Sequence, residues 1–232
     1  MDKYVYDTKE AFVITHALLG SNLVSYLSDT EEISVLDKIE STIIGLYLAD
    51  FAIALIHLFF DNYRGKHKLL QKVSYDFTSH HINPKHILDK TIKDLLFQTS
   101  ITPLALLNVI FRPKSKKNKL TQLVFVYALF FGQLIHKAAH YINHATKEEK
   151  EGAIGQILQI LQKNNIILKP EDHSAHHAAK YNDINFALIN GWSNPVINEI
   201  IKIPFIHDFI FREPTVIYTL EDLKWDDLPP TK

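Results

Sequence analysis

Residues 43–60 read IIGLYLADFAIALIHLFF, and Asp50 is their single formal charge. Three other stretches are similarly apolar, namely 12–27, 95–111 and 120–135. A membrane-spanning helix needs about 20 apolar residues, with roughly 17 near the lower limit. The sequence therefore predicts an all-α membrane protein with about four apolar helices. The alternative is a soluble bundle of four buried helices, because segments this short are also common in globular cores.

Composition excludes several kinds of site. The formal charge of -1 and the pI near 6.9 give no basic field for nucleic acid. The absence of cysteine excludes disulfides, Cys-ligated zinc and iron–sulfur clusters. The length of 232 residues allows one domain over 1–232, with a core of about 12–211 and a frayed end at 221–232. Residues 1–10 lack a basic n-region, so we expect no cleavable signal peptide.

Charge around the apolar stretches predicts an orientation. Segment 28–40 is acidic and segment 61–94 is basic, which places 61–94 in the cytosol by the positive-inside rule. Four crossings would then leave the chain after Tyr141 as a cytosolic, helical, histidine-rich cap. Loop 112–119 (RPKSKKNK) conflicts with this topology, because it should lie outside and yet is basic. Either the third and fourth stretches form a re-entrant hairpin, or the chain is less embedded. Residues 200–211 are also very apolar and could pack in the core or lie at the bilayer interface.

Histidine is the unusual residue, with 13 in the chain, and most occur in clusters. Two pairs lie four residues apart, on one helical face each, and the HxxHH group also shares a face. Another two histidines are adjacent. The candidate ligands are His57, His80, His81, His136, His140, His173, His176 and His177, with Asp61 as an acidic companion of His57. Neutral imidazole binds iron, zinc and copper, so these clusters predict a metal site at the cytosolic end of the helices.

The number of imidazoles favours two ions. Eight exceed the four ligands of a tetrahedral zinc, and Lys137 replaces the glutamate that a HExxH zinc hydrolase needs. Imidazole also outnumbers acid too strongly for a site of two histidines and one carboxylate. His86 and His144 could extend the cluster. We interpret the remaining histidines as ordinary surface or core residues: His16, His67 and His207.

The order and spacing of these motifs resemble the Kua-type lipid desaturase family, which includes plasmanylethanolamine desaturase, CarF-like proteins and plastid palmitate desaturases. The resemblance covers roughly residues 49–198. The matching stretches are HLFFD at 57–61, HHINP at 80–84, QLIHKAAH at 133–140, HSAHH at 173–177 and NGWSNP at 190–195. The family's usual tryptophans in two of these motifs are replaced by Leu58 and Ala138.

The resemblance implies an integral membrane oxidoreductase whose eight motif histidines hold two irons, in preference to zinc. Such an enzyme uses oxygen, and electrons from a b-type cytochrome or another donor, to introduce a double bond into a lipid acyl or alkyl-ether chain. Two alternatives remain open. One is a metal-dependent hydroxylase or hydrolase on the same histidines. The other is a non-catalytic metal- or lipid-binding membrane protein.

Overall fold

The computed structural model describes residues 8–83, 85–97, 112–178 and 183–211. Within these ranges every regular element is a helix, so the all-α prediction is confirmed. The helices in chain order are α1 Thr8–Leu27, α2 Val35–Asp61, α3 Lys68–Ile82, α4 His86–Asp89, α5 Ile92–Phe97, α6 Lys116–His144, α7 Lys147–Glu151, α8 Ala153–Lys163, α9 Pro170–Ala178, α10 Asn194–Ile201 and α11 Pro204–Ile210.

Side-chain caps determine where the two long helices begin. Ser34 precedes α2, where its hydroxyl accepts from the backbone N–H of Asp37 at 3.1 Å. The Asp37 carboxylate in turn accepts from the backbone N–H of Ser34 at 3.3 Å, which completes a capping box. Ser115 caps α6 by accepting from the N–H of Asn118. These caps satisfy backbone donors that would otherwise lack an intrahelical partner.

Helices α2 and α6 run in the same direction and form the centre of the molecule. Ser41, near the start of α2, donates to the carbonyl of Lys117 at the start of α6, with 3.2 Å between the oxygens. One turn later α2 has Gly45, where a Cβ would lie only 2.8 Å from the Thr121 carbonyl oxygen, so the two backbones approach closely. The shared core continues toward the far ends of both helices and includes Ala49, Ile53, Ala128, Leu129 and Ala139.

Two described helices are long and apolar enough to cross a membrane: Val35–Asp61, with 27 residues, and Lys116–His144, with 29. They contain the predicted apolar stretches 43–60 and 120–135. The stretch 12–27 lies in α1, whose apolar part, Val13–Leu27, is shorter. Of the stretch 95–111, residues 98–111 lie outside the described residues. The described residues therefore contain three of the expected apolar helices, two long and one shorter, and the count of about four stays a prediction.

The basic loop 112–119 lies beside the acidic segment 28–40. Lys119 forms an ion pair with Asp29 at 2.6 Å, and Lys117 contacts both Asp37 at 2.9 Å and Glu40 at 2.7 Å. Lys117 and Lys119 are therefore paired with acids at the same end of the bundle. These ion pairs leave the conflict with the expected topology open, because the positive-inside rule counts lysine and arginine and acidic residues contribute little to it.

The apolar stretch 200–211 divides between the core and the surface. Ile201 and Phe211 are buried against α2 residues, whereas Phe205 and Phe209 on α11 are 73% and 75% exposed. The expected core placement therefore applies to part of the stretch, and the placement of the exposed part at the bilayer interface stays a prediction. The expected frayed end at 221–232 lies outside the described residues, and the single domain over 1–232 stays a prediction.

Candidate metal centre

Four helices bring the nine candidate side chains to one buried region. Helices α2 and α3 contribute residues from their last turns, α6 contributes from its last three turns, and α9 carries three histidines. The side chains fall into two groups, and within each the potential ligand atoms lie within 4.8 Å of one another. The five-histidine group comprises His80, His136, His140, His173 and His177. The Asp61 group comprises His57, Asp61, His81 and His176.

In the five-histidine group, ring nitrogens converge on His173. Its Nε2 lies 2.8 Å from His136 Nε2, 2.7 Å from His140 Nε2 and 2.9 Å from His177 Nε2. A ring nitrogen carries either one hydrogen or one lone pair and can make a single hydrogen bond in the ring plane. At most one of these three contacts can therefore be a hydrogen bond of His173 Nε2. The fifth member, His80, has a buried Nε2 with no hydrogen-bond partner among the described residues.

In the Asp61 group, three imidazoles surround one carboxylate oxygen. Asp61 Oδ2 lies 3.1 Å from His57 Nε2, 3.3 Å from His81 Nε2 and 3.2 Å from His176 Nε2. The carboxylate is 1% exposed, so water does not solvate this charge. A buried carboxylate is stable only with a compensating positive charge or several donors.

The two groups are neighbours because adjacent residues contribute to different groups. His80 and His81 follow each other on α3, and so do His176 and His177 on α9, yet each pair is divided between the groups. The rings remain close, with centroids 4.6 Å apart for His80 and His81 and 4.3 Å apart for His81 and His177. The arrangement is thus a pair of adjoining ligand sets.

Backbone carbonyls determine the tautomer of two rings in the Asp61 group. His57 Nδ1 donates to the carbonyl of Phe186 at 3.0 Å, and His176 Nδ1 donates to the carbonyl of Ile184 at 2.6 Å. A carbonyl can only accept, so Nδ1 carries the hydrogen and, in the neutral ring, Nε2 presents a lone pair to Asp61. A histidine that binds a metal through one nitrogen typically donates from the other in this way.

Burial lowers the pKa of four rings on α3 and α9 and so favours their neutral form. Loss of solvent, reinforced by the imidazoles of His136 and its neighbours, holds the pKa of His80 and of His173 well below 6.5. Burial likewise lowers the pKa of His176 to about 4, against the opposing effect of Asp61, and lowers the pKa of His177. Neutral imidazoles have the free lone pair that binding of a metal requires.

The donor set fits metal ions. A metal–imidazole bond of about 2 Å places neighbouring ligand nitrogens roughly 3 Å apart, which matches the contacts around His173. A cation would also satisfy at once the lone pairs of His57 and His176 and the charge of Asp61. Mutual hydrogen bonds cannot satisfy all these atoms. Each group could therefore hold one ion.

The other histidines lie outside both groups. His86 contacts the hydroxyl of Ser79 through Nδ1 at 3.1 Å. His144 is exposed, and its ring centroid lies 6.4 Å from that of His140. His207 contacts Asp183 at 3.7 Å. His16 and His67 are exposed. Neither His86 nor His144, which the spacing allowed as additional ligands, lies within either group of converging ligand atoms.

The lipid desaturase domain family matches residues 46–212, which include all nine candidate side chains. The chain belongs to the lipid desaturase family. A relative of this lipid desaturase, a probable fatty acid desaturase of Acanthamoeba polyphaga mimivirus, is 24% identical over 164 residues, which cover 70% of this chain and 76% of the relative. No solved structure matches the chain. Membership of the family makes the chain a desaturase-type oxidoreductase of lipid metabolism, as the sequence motifs predicted.

Several contributors to the site could not be identified from sequence. The carbonyls of Ile184 and Phe186 are backbone groups, so no residue type marks them. They lie in the segment 184–193, whose NGW residues at 190–192 are marked in the sequence only by the family resemblance. In contrast, Gln133, which the sequence places one turn before His136, has its Oε1 3.4 Å from His136 Nδ1.

Proposed function

We propose that this lipid desaturase is an integral membrane enzyme that introduces a double bond into the acyl or alkyl-ether chain of a lipid, with oxygen as the oxidant and two irons in its centre. The observation that carries the proposal is the pair of adjoining, buried ligand groups at the ends of α2, α3 and α6 and on α9. A single ion would leave one of the two groups unsatisfied.

In this proposal the five-histidine group holds one iron and the Asp61 group holds the other. Five imidazoles exceed the four ligands of a structural zinc, which supports iron over zinc. The Asp61 group offers three imidazoles and one carboxylate, so each group leaves positions for other ligands on a six-coordinate ion. The Asp61 charge would offset part of the positive charge that two ions bring into a buried region.

Bound iron would supply the oxygen activation that removal of hydrogen from an unactivated methylene requires, a reaction outside the reach of side-chain acids and bases. The protein supplies position and a dry environment. The carbonyls of Ile184 and Phe186 orient two of the rings, and burial of His57, His173 and His176 excludes water from around them. Neutral rings keep their lone pairs directed at the ion instead of at a proton.

The parallel packing of α2 and α6 supports a membrane topology with a crossing between them. If both helices span, the chain must return across the membrane between residues 61 and 116. The uncharged stretch 95–111 is the candidate for this return. The basic segment 61–94 then places the metal centre on the cytosolic face, where a b-type cytochrome or another electron donor can bind. Exposed Phe205 and Phe209 on α11 support contact with the bilayer interface.

Lipid analysis of cells that produce the protein, combined with oxygen uptake by their membranes, tests this function. We expect a lipid with one new double bond and oxygen consumption from the wild type, and neither from His173→Ala, which removes the nitrogen at the centre of the five-histidine group. His144→Ala is the matched control, because its ring is exposed and adjoins the group without belonging to it.

Each rival predicts another outcome. A hydroxylated lipid formed with oxygen uptake would identify a hydroxylase, and lipid cleavage without oxygen uptake would identify a hydrolase. Equal lipid profiles for wild type and His173→Ala would indicate a non-catalytic protein. Any of these three results contradicts the proposed desaturation.

A further inference from the structure

Asp50 is a buried carboxylate in the middle of α2, fully shielded from solvent and outside both ligand groups. Its Oδ1 accepts from the backbone N–H groups of Ile189 and Asn190, both at 3.0 Å, and of Gly191 at 3.4 Å. Its Oδ2 accepts from the backbone N–H of Ser193 at 2.9 Å and from the Ser193 hydroxyl at 2.8 Å. One side chain thus holds four backbone amides of a segment about 140 residues away in the sequence.

The same segment supplies the acceptors for the Asp61 group. Ile184 and Phe186 lie a few residues before the amides that Asp50 binds, and their carbonyls accept from His176 and His57. Residues 186–189 are at most 2% exposed, so they pass through the protein interior. Neither carbonyl contacts a ring of the five-histidine group through a hydrogen bond that the structure shows. The segment therefore binds the rings of the Asp61 group directly, whereas its other contacts near α9, from the Asn185 amide to the Asp172 carbonyl at 3.1 Å and from the Leu168 N–H to the Ile189 carbonyl at 2.7 Å, involve the backbone and no histidine ring.

Helix geometry places the contributors from α2 on one face. Asp50, Ala54, His57 and Asp61 are separated by four, three and four residues, which is the spacing of a single helical face. Ala54 is fully buried and packs in the cluster that contains Phe186. The face therefore contacts the segment 184–193 at Asp50, at Ala54 and at His57, and then presents Asp61 to the second ion position.

We propose that Asp50 is a positioning residue for the ion of the Asp61 group. It fixes the segment 184–193 on α2, and the fixed carbonyls of Ile184 and Phe186 hold His176 and His57 with Nε2 toward Asp61. This inference rests on the proposed function, since it takes both groups as metal sites. The inference predicts that loss of Asp50 weakens ion binding by the Asp61 group and leaves ion binding by the five-histidine group unchanged. A carboxylate with a purely structural role would not show this selectivity.

The test compares three variants purified in detergent. Asp50→Asn places an amide NH₂ where two of the five hydrogen bonds need an acceptor, and Ser193→Ala removes one hydrogen bond only. Ser41→Ala is the matched control, because Ser41 is buried on the same helix and donates to the distant Lys117 carbonyl. Two quantities are measured for each: iron per chain at increasing concentrations of a chelator, which reports how tightly each iron binds, and amide hydrogen exchange in a peptide that covers 184–193.

We expect Asp50→Asn to retain about one iron where the wild type has two, with faster exchange in 184–193. Ser193→Ala should weaken binding of the second iron by about tenfold, the lower range for loss of a residue that orients a ligand. If Asp50→Asn does not fold, the result for Ser193→Ala decides the test. Ser41→Ala should keep two irons and unchanged exchange in this peptide.

Two results would overturn the inference alone: an Asp50→Asn protein that keeps both irons, or one that loses both in equal measure. If Asp50→Asn cannot be purified, a Ser193→Ala protein that binds both irons as the wild type does has the same effect. A wild-type protein that does not bind two irons would instead overturn the proposed function, and this inference with it.

Discussion

Mild acid should destabilise the metal-free protein, because its buried imidazoles must stay neutral. His80, His173 and His176 are at most 4% exposed. Burial holds the pKa of each below the ordinary value of 6.5, and lowers that of His176 to about 4. In the unfolded chain the same rings bind protons as the pH falls through 6.5. The neutral rings therefore contribute their full stability above pH 6.5, and this stability is lost progressively as the pH falls toward the pKa of the rings in the folded protein.

The size of the loss in the free energy of unfolding follows from the lowered pKa values of these rings. One pH unit below 6.5, a ring that is protonated only when unfolded reduces the free energy of unfolding by about 1.4 kcal/mol. Three such rings together reduce it by about 4 kcal/mol. Folded proteins are typically stable by only about 5–15 kcal/mol. We therefore expect the thermal unfolding midpoint of chelator-treated protein in detergent to fall steeply between about pH 7.5 and about pH 5.5.

Two histidine variants separate this effect from general acid sensitivity. His173→Gln removes one of these rings and should reduce the loss of stability at about pH 5.5 by about 1.4 kcal/mol. His144→Gln removes an exposed ring and should leave the dependence unchanged. An unfolding midpoint that is flat over this pH range, or that depends on pH equally in both variants, would refute the reasoning.

Two further substitutions test the packing and the ligand groups. Asp61→Asn removes the carboxylate charge that three imidazoles surround. Iron per chain, measured by elemental analysis, should therefore fall from two to about one. A variant that retains two irons would exclude the Asp61 charge as a requirement for binding the second iron. Gly45→Ala adds a Cβ 2.8 Å from the Thr121 carbonyl oxygen and should destabilise the protein by about 1–3 kcal/mol, whereas Gly20→Ala, with no atom within 4 Å of its Cβ, should be neutral or slightly stabilising in the same thermal unfolding assay.

Helical spacing allowed much of the site to be predicted. His57 with Asp61, and His136 with His140, lie four residues apart, so each pair had to share a face. The topology then placed these faces at one end of the bundle, and the structure brings all nine side chains together there. Local periodicity, the grouping of histidines and the expected topology together supported this prediction.

The division into two groups could not be predicted from spacing. His80 and His81 are adjacent and serve different groups, because successive residues of a helix point in directions about 100° apart. Which direction faces which partner depends on tertiary packing. The carbonyls that orient His57 and His176 are equally invisible, since every residue has one. Asp50 is a lone charge in an apolar stretch of the sequence, but the backbone N–H groups that bind it lie in a segment about 140 residues later.

The basic loop 112–119 shows a limit of charge counting. Its lysines argue against the predicted topology, and the charge pattern does not show which residues they contact. In the structure Lys117 and Lys119 form ion pairs with residues of the acidic segment 28–40. These are contacts about 80 residues apart in the sequence, and the pattern of either segment alone does not specify them.

Elemental analysis of the protein, purified in detergent without added chelator, tests the central claim most directly. If imidazoles from four helices form two adjoining ion sites, each chain should contain about two irons. Substitution of His173 or Asp61 should lower that number, and substitution of the exposed His144 should not. A wild-type chain that contains zinc in place of iron, a single ion, or no metal would contradict the account.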